Sequence, residues 1–184
     1  MQLVLDFLNA HIDLSSLLWL LPITFVFHDF EEILTVEKWG KERRARILGT
    51  MPEFAKKVYA SSFQMSTHRF SQDVLVVYSV IVTVTVLAAL FHVYILFLAA
   101  LHLYFLHVFT HLGQALFLKM YTPGIVTAVF PVLPYSLYAY YRLLSEGTVN
   151  WNDMLWGLGI LAVLMPVFLT FLLKARHRSA DQKQ

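Results

Sequence analysis

Cysteine is absent from the chain, which excludes disulfides, thiolate metal sites and a cysteine nucleophile together. Charge is scarce as well: Asp, Glu, Lys and Arg make up 14% of the 184 residues, against 58% hydrophobic. The mean hydropathy is +0.62. That balance argues against an ordinary soluble domain and for a polytopic membrane protein. Repeats and low-complexity segments are also lacking, so a single membrane domain over residues 1–184 is the simplest organisation. No positively charged region precedes Met1-Gln2-Leu3-Val4, so a cleaved signal peptide is not expected, and the weakly amphipathic stretch up to His11 suits the membrane interface.

The expected fold is an all-α membrane bundle of about five transmembrane helices plus one interfacial helix. A first span covers residues 14–36, about 23 residues, enough at 1.5 Å each to cross a bilayer core. Residues 37–46 are basic and hydrated and read as a loop or short surface helix, with Trp39 at interfacial depth. Thr50-Met51-Pro52-Glu53 has capping-box spacing and predicts an interfacial helix carrying Phe54, Val58, Tyr59 and Phe63 on one side. From Val74 to Leu118 the apolar character hardly breaks. As one helix that stretch would be roughly 67 Å long, twice a hydrocarbon core, so it must turn, and Phe91-His92-Val93-Tyr94 is where (spans 74–91 and 94–118). Tyr121-Thr122-Pro123-Gly124 reads as a turn. A fourth span follows at 125–141, with Pro131 and Pro134 inside it, and a fifth at 154–173.

Five spans place thirteen of the fourteen Lys and Arg residues on one side, in the 37–73 loop, at Lys119 and in the tail, leaving Arg142 alone on the other. The positive-inside rule then puts the N-terminus outside and the C-terminus in the cytoplasm of a cell inner membrane. The basic loop itself reads as a solvated surface facing lipid phosphates, with no nucleic-acid partner expected.

Against this apolar background His28-Asp29-Phe30-Glu31-Glu32 places one imidazole and three carboxylates within a span. Each isolated ionised carboxylate there costs on the order of a few kcal/mol, so a partner is required. On a helix Glu31 and Glu32 are i+3 and i+4 from His28 and share its sector, while Asp29 points elsewhere and suits an orienting or interfacial role. His28 lies eight residues before Val36, and His111 eight residues before Lys119, so both lie roughly 12 Å below the cytoplasmic surface and can meet. His107 and His111 are i and i+4, a usual way for a helix to hold a metal, and Gln114 continues their face. His68, before the second span, could close the site from above. Imidazole and carboxylate without sulfur suit a divalent metal, zinc first, with iron or manganese as alternatives. His102 reads as a hydrogen-bonded packing residue, and His11 and His92 as interfacial ones.

The order of His28-Asp29-Phe30-Glu31-Glu32, Trp39, the pair His107 and His111, then Tyr121-Thr122-Pro123-Gly124-Ile125-Val126-Thr127 resembles the small bacterial membrane proteins named for their HxxEE motif. The resemblance covers most of residues 20–130. It implies a catalytic or metal role for His28, Glu31 and Glu32, extending to His107, His111, Tyr121, Pro123 and Gly124, but it brings no substrate. The order differs from the HExxH pattern of zinc proteases, so protease chemistry does not carry over.

The functional expectation is an integral-membrane metalloenzyme, a hydrolase by the simplest chemistry, acting on a lipid-like substrate at the cytoplasmic leaflet. His28, His107, His111 and Glu31 would be ligands and Glu32, nearer the cytoplasm, the general base. One rival is a proton- or metal-coupled transporter or ion-pathway protein, which Pro131 and Pro134 would suit but the lack of duplicated halves does not. Another is a partner subunit whose polar cluster holds a second chain. Oligomeric state has no signature here.

Overall fold

A computed structural model describes residues 2–50, 56 and 66–181. Among them every regular element is helical. Helix α1 (Gln2–His11) is followed by α2 (Leu14–Thr50), α3 (Thr67–Phe91), α4 (Tyr94–Leu118), a single turn α5 (Ile125–Thr127), a π-helical segment Ala128–Val132, α6 (Leu133–Ser145) and α7 (Trp151–Asp181). The interfacial helix expected around Phe54 to Phe63 lies outside the described residues.

Helix α2 does not stop at Val36. Its polar half is rich in Glu, Lys and Arg, good helix formers, and Lys41 donates to Glu37 at 2.6 Å across one turn, so the basic stretch continues the helix instead of forming a loop. Glu37 also accepts from the Thr67 amide at 2.6 Å and the Thr67 hydroxyl at 2.7 Å, satisfying α3's first turn from a neighbouring helix. Ser66 caps the same end, accepting from the Arg69 amide at 3.3 Å.

The break between α3 and α4 falls at His92 and Val93. With no glycine available, His92 takes the left-handed conformation (φ 58°) and donates its amide to Ala88, while Val93 donates to Leu87, a helix end built from an unusual residue. Lys119 ends α4 in the same way (φ 49°). Between α5 and α6 the prolines act as expected: Phe130 leaves helical geometry (φ −137°, ψ 109°) before Pro131, and Pro134 sits in the first turn of α6.

The core runs between α2, α3, α4 and α6, through Leu17, Leu21, Phe97, Leu101, Val108 and Leu143. Helix α2 packs mainly on α3, and α4 mainly on α7. Outward faces are also apolar: Leu75, Leu116 and Trp156 are 63%, 75% and 66% exposed. Helices α3 and α4 are each long and apolar enough to cross a membrane, and α1 with α2, bent by 98° between them, would make a third crossing; Trp151–Val167 is a shorter apolar helix. The lone Arg142 is buried, donating to the Ile12 carbonyl, Asn9 and Tyr138 and pairing with Glu146, which ties α6 to the region of α1.

Candidate metal centre

Helices α2 and α4 bring the two histidine groups together, as their positions in the sequence allow. The His28 ring lies 4.9 Å from that of His111 and 5.3 Å from that of His107, centroid to centroid. One donor atom from each of His28, Glu32, His107 and His111 falls in a set whose members all lie within 4.8 Å of one another, and this cluster could hold a metal ion. His107 Nε2 and His111 Nε2 are 2.8 Å apart, and Glu32 Oε1 is 3.3 Å from His111 Nε2. A tetrahedral ion with bonds of about 2.1 Å separates its donors by roughly 3.4 Å, so small side-chain adjustments would accommodate one. His28 is fully buried and its Nε2 has no hydrogen-bond partner, a costly state for a polar atom unless something occupies its lone pair.

Glu31 does something different from its neighbour. Its Oε1 accepts from the Tyr121 hydroxyl at 2.6 Å and the Val126 amide at 3.4 Å, and its Oε2 from the Thr127 amide at 2.8 Å and the Thr127 hydroxyl at 2.6 Å. Four donors fill a carboxylate's acceptor sites. Glu31 thereby anchors the start of α5 to α2, and Trp39 adds a second anchor by donating to the Tyr121 carbonyl at 2.8 Å. Two of the remaining histidine nitrogens face threonines: His28 Nδ1 is 2.8 Å from Thr127 Oγ1 and His107 Nδ1 is 3.4 Å from Thr110 Oγ1.

The segment before α5 closes over the cluster. Gly124 has φ +81°, and a Cβ there would fall 2.6 Å from His111 Cε1 and 2.9 Å from Glu32 Oε1, so both backbone geometry and space demand glycine. The Pro123 carbonyl also approaches the His111 ring, although His111 Nδ1 finds no hydrogen bond of full geometry.

Other sequence candidates fall around the cluster. Asp29 does not point away: it is 5% exposed and, being i and i+3 with Glu32, sits beside that carboxyl with its Oδ2 unpartnered. His68 is exposed at the start of α3 and Gln114 is exposed on α4, and neither belongs to the cluster. Tyr121 is 44% exposed and its hydroxyl donates to Glu31 beside the cluster. His102 has both ring nitrogens engaged, with the Tyr140 hydroxyl at 2.7 Å and the Met154 carbonyl at 3.0 Å, as a packing histidine should. Thr127 entered the sequence reading only as the last residue of the Tyr121–Thr127 segment and was given no role, although its hydroxyl in the first turn after Pro123-Gly124 was the available signal. A cavity lined by His92, Tyr94, Thr148 and Asp153 lies at the far end of α4 and shares no residue with the cluster.

Fold and site together define a helical protein, with helices apolar enough to cross a membrane, that carries a His-Glu cluster able to hold a metal ion. The chain belongs to the family described as "Protein of unknown function with HXXEE motif", whose model matches residues 19–139 and so takes in every residue of the cluster. No curated protein and no solved structure matches it.

Proposed function

We propose that this protein is an integral-membrane metalloenzyme performing hydrolase-type chemistry on a lipid-like substrate at the cytoplasmic leaflet. The observation that carries the reading is the convergence of four donor atoms within 4.8 Å from two helices, one of them from a fully buried histidine whose Nε2 has no hydrogen-bond partner. His28, His107 and His111 would hold the ion, zinc first, since three neutral imidazoles leave a fourth position open. A divalent ion held there would supply Lewis acidity and an activated water near neutral pH. Glu32, whose carboxyl lies 3.3 Å from His111 Nε2, would be the general base, with Asp29 as its polar neighbour. Glu31, with all its acceptor sites used, positions rather than coordinates.

The proposed topology has five crossings, formed by the first part of α2, α3, α4, the α5–α6 unit and α7, with the N-terminus outside. Phe27, Phe30 and Leu34 on α2 and Val126 and Phe130 near Glu31 are 54–78% exposed, an apolar flank suited to an acyl or prenyl chain beside the cluster. Replacing Glu32 by Gln should leave metal content and folding intact and lower turnover of fluorogenic ester and phosphoester lipid analogues in micelles by about 10²- to 10⁴-fold. A metal-loaded protein that hydrolyses none of these, yet moves metal or protons across proteoliposomes, would favour the transporter instead.

A further inference from the structure

Hydrogen accounting around Thr127 assigns a role to two residues that do not touch the proposed ion. An ionised carboxylate only accepts, so the 2.6 Å contact between Thr127 Oγ1 and Glu31 Oε2 uses the single hydroxyl hydrogen of Thr127. At 2.8 Å from His28 Nδ1 that hydroxyl has only a lone pair left to offer. His28 must therefore carry its hydrogen on Nδ1, and its Nε2, buried without a partner, presents a lone pair. The same arrangement recurs more loosely on α4: the Thr110 hydroxyl donates to the His107 carbonyl at 2.7 Å and so meets His107 Nδ1, at 3.4 Å, as an acceptor.

We propose that Thr127 is a positioning residue that locks His28 in its Nδ1–H tautomer, and that Glu31 sets that lock by accepting the Thr127 hydroxyl hydrogen. This rests on the metal reading above. It explains why the motif needs two adjacent glutamates: Glu32 enters the cluster, whereas Glu31 orients the threonine that orients the histidine.

The test uses the full chain in detergent with Co²⁺ as probe and ¹⁵N-labelled histidine. In the metal-free wild type, the ring signal assigned to His28 by its loss in His28→Gln should show a protonated Nδ1 and a bare Nε2. Thr127→Val should weaken Co²⁺ binding by about 10- to 100-fold and mix the tautomers, and Thr127→Ser, which keeps the hydroxyl, should restore both. Glu31→Gln should act in the same direction, because its amide can donate to Thr127 Oγ1 and free the hydroxyl hydrogen for His28 Nδ1. It also decides the matter should Thr127→Val not fold. Wild-type affinity and an unchanged ¹⁵N pattern in Thr127→Val or Glu31→Gln, with Co²⁺ binding abolished in His28→Ala, would overturn this proposal and leave the metal reading standing. A wild type that binds no Co²⁺ would overturn both.

Discussion

Replacing Gly124 by Ala adds one methyl group at the most constrained point of the proposed centre. Two costs can be separated. At φ +81° an L-residue pays about 1–2 kcal/mol for left-handed backbone geometry. The new Cβ would also stand 2.6 Å from His111 Cε1 and 2.9 Å from Glu32 Oε1, closer than real Cβ contacts come, so the His111 ring or the Glu32 carboxyl must move. Overpacking of this kind typically costs about 1–3 kcal/mol, for a total of roughly 2–5 kcal/mol. Gly147 is the internal control, because it has φ +67° and nothing within 4 Å of its virtual Cβ, and therefore pays the backbone cost alone. Unfolding of both variants in mixed micelles, followed by helical circular dichroism and paired with metal content per chain, should show Gly124→Ala less stable than Gly147→Ala and depleted of metal. Equal stability and equal metal content in the two would refute the packing of the 121–127 segment over His111 and Glu32.

Reporter fusions at Gly49 and Gly147 should report opposite compartments, with Gly49 cytoplasmic; the same compartment at both would end the five-span topology. The junction of α2 and α3 should open in acid. The hydrogen bond from Lys41, and then those from the Thr67 amide and hydroxyl, hold Glu37 down to about 2 from its ordinary 4.5. A depressed carboxylate contributes stability above its unfolded pKa and loses it as pH falls through the folded one, so Thr67 amide exchange, corrected for intrinsic rate, should lose protection between about pH 4.5 and 2. Glu37→Gln should abolish that dependence, and a Thr67 amide equally protected throughout would contradict it.

The histidine cluster was legible because position and helical period add along the chain: His28 and His111 each lie eight residues before the end of an apolar run and so could meet, and His107 is one turn from His111. The turn at His92 was legible from length alone, since no bilayer accepts a helix as long as residues 74–118. The division of labour between Glu31 and Glu32 was not. At i+3 and i+4 both face His28, and what separates them is the arrival of Tyr121, Val126 and Thr127, some 90 residues away, whose donors claim Glu31. Asp29 was misplaced for a related reason: counted from His28 it leaves the sector, but counted to Glu32 it is one turn away. The long polar extension of α2 was hidden by its charge, which suggests a loop until the helix-forming residues and the Glu37–Lys41 pair are weighed.

Elemental analysis of the purified full-length protein tests the central claim most directly. The wild type should carry close to one transition-metal ion per chain, lost in both His28→Ala and His111→Ala and retained in His102→Gln, whose ring serves packing. A wild type without bound transition metal, or a His28→Ala protein that keeps full occupancy, would contradict the account.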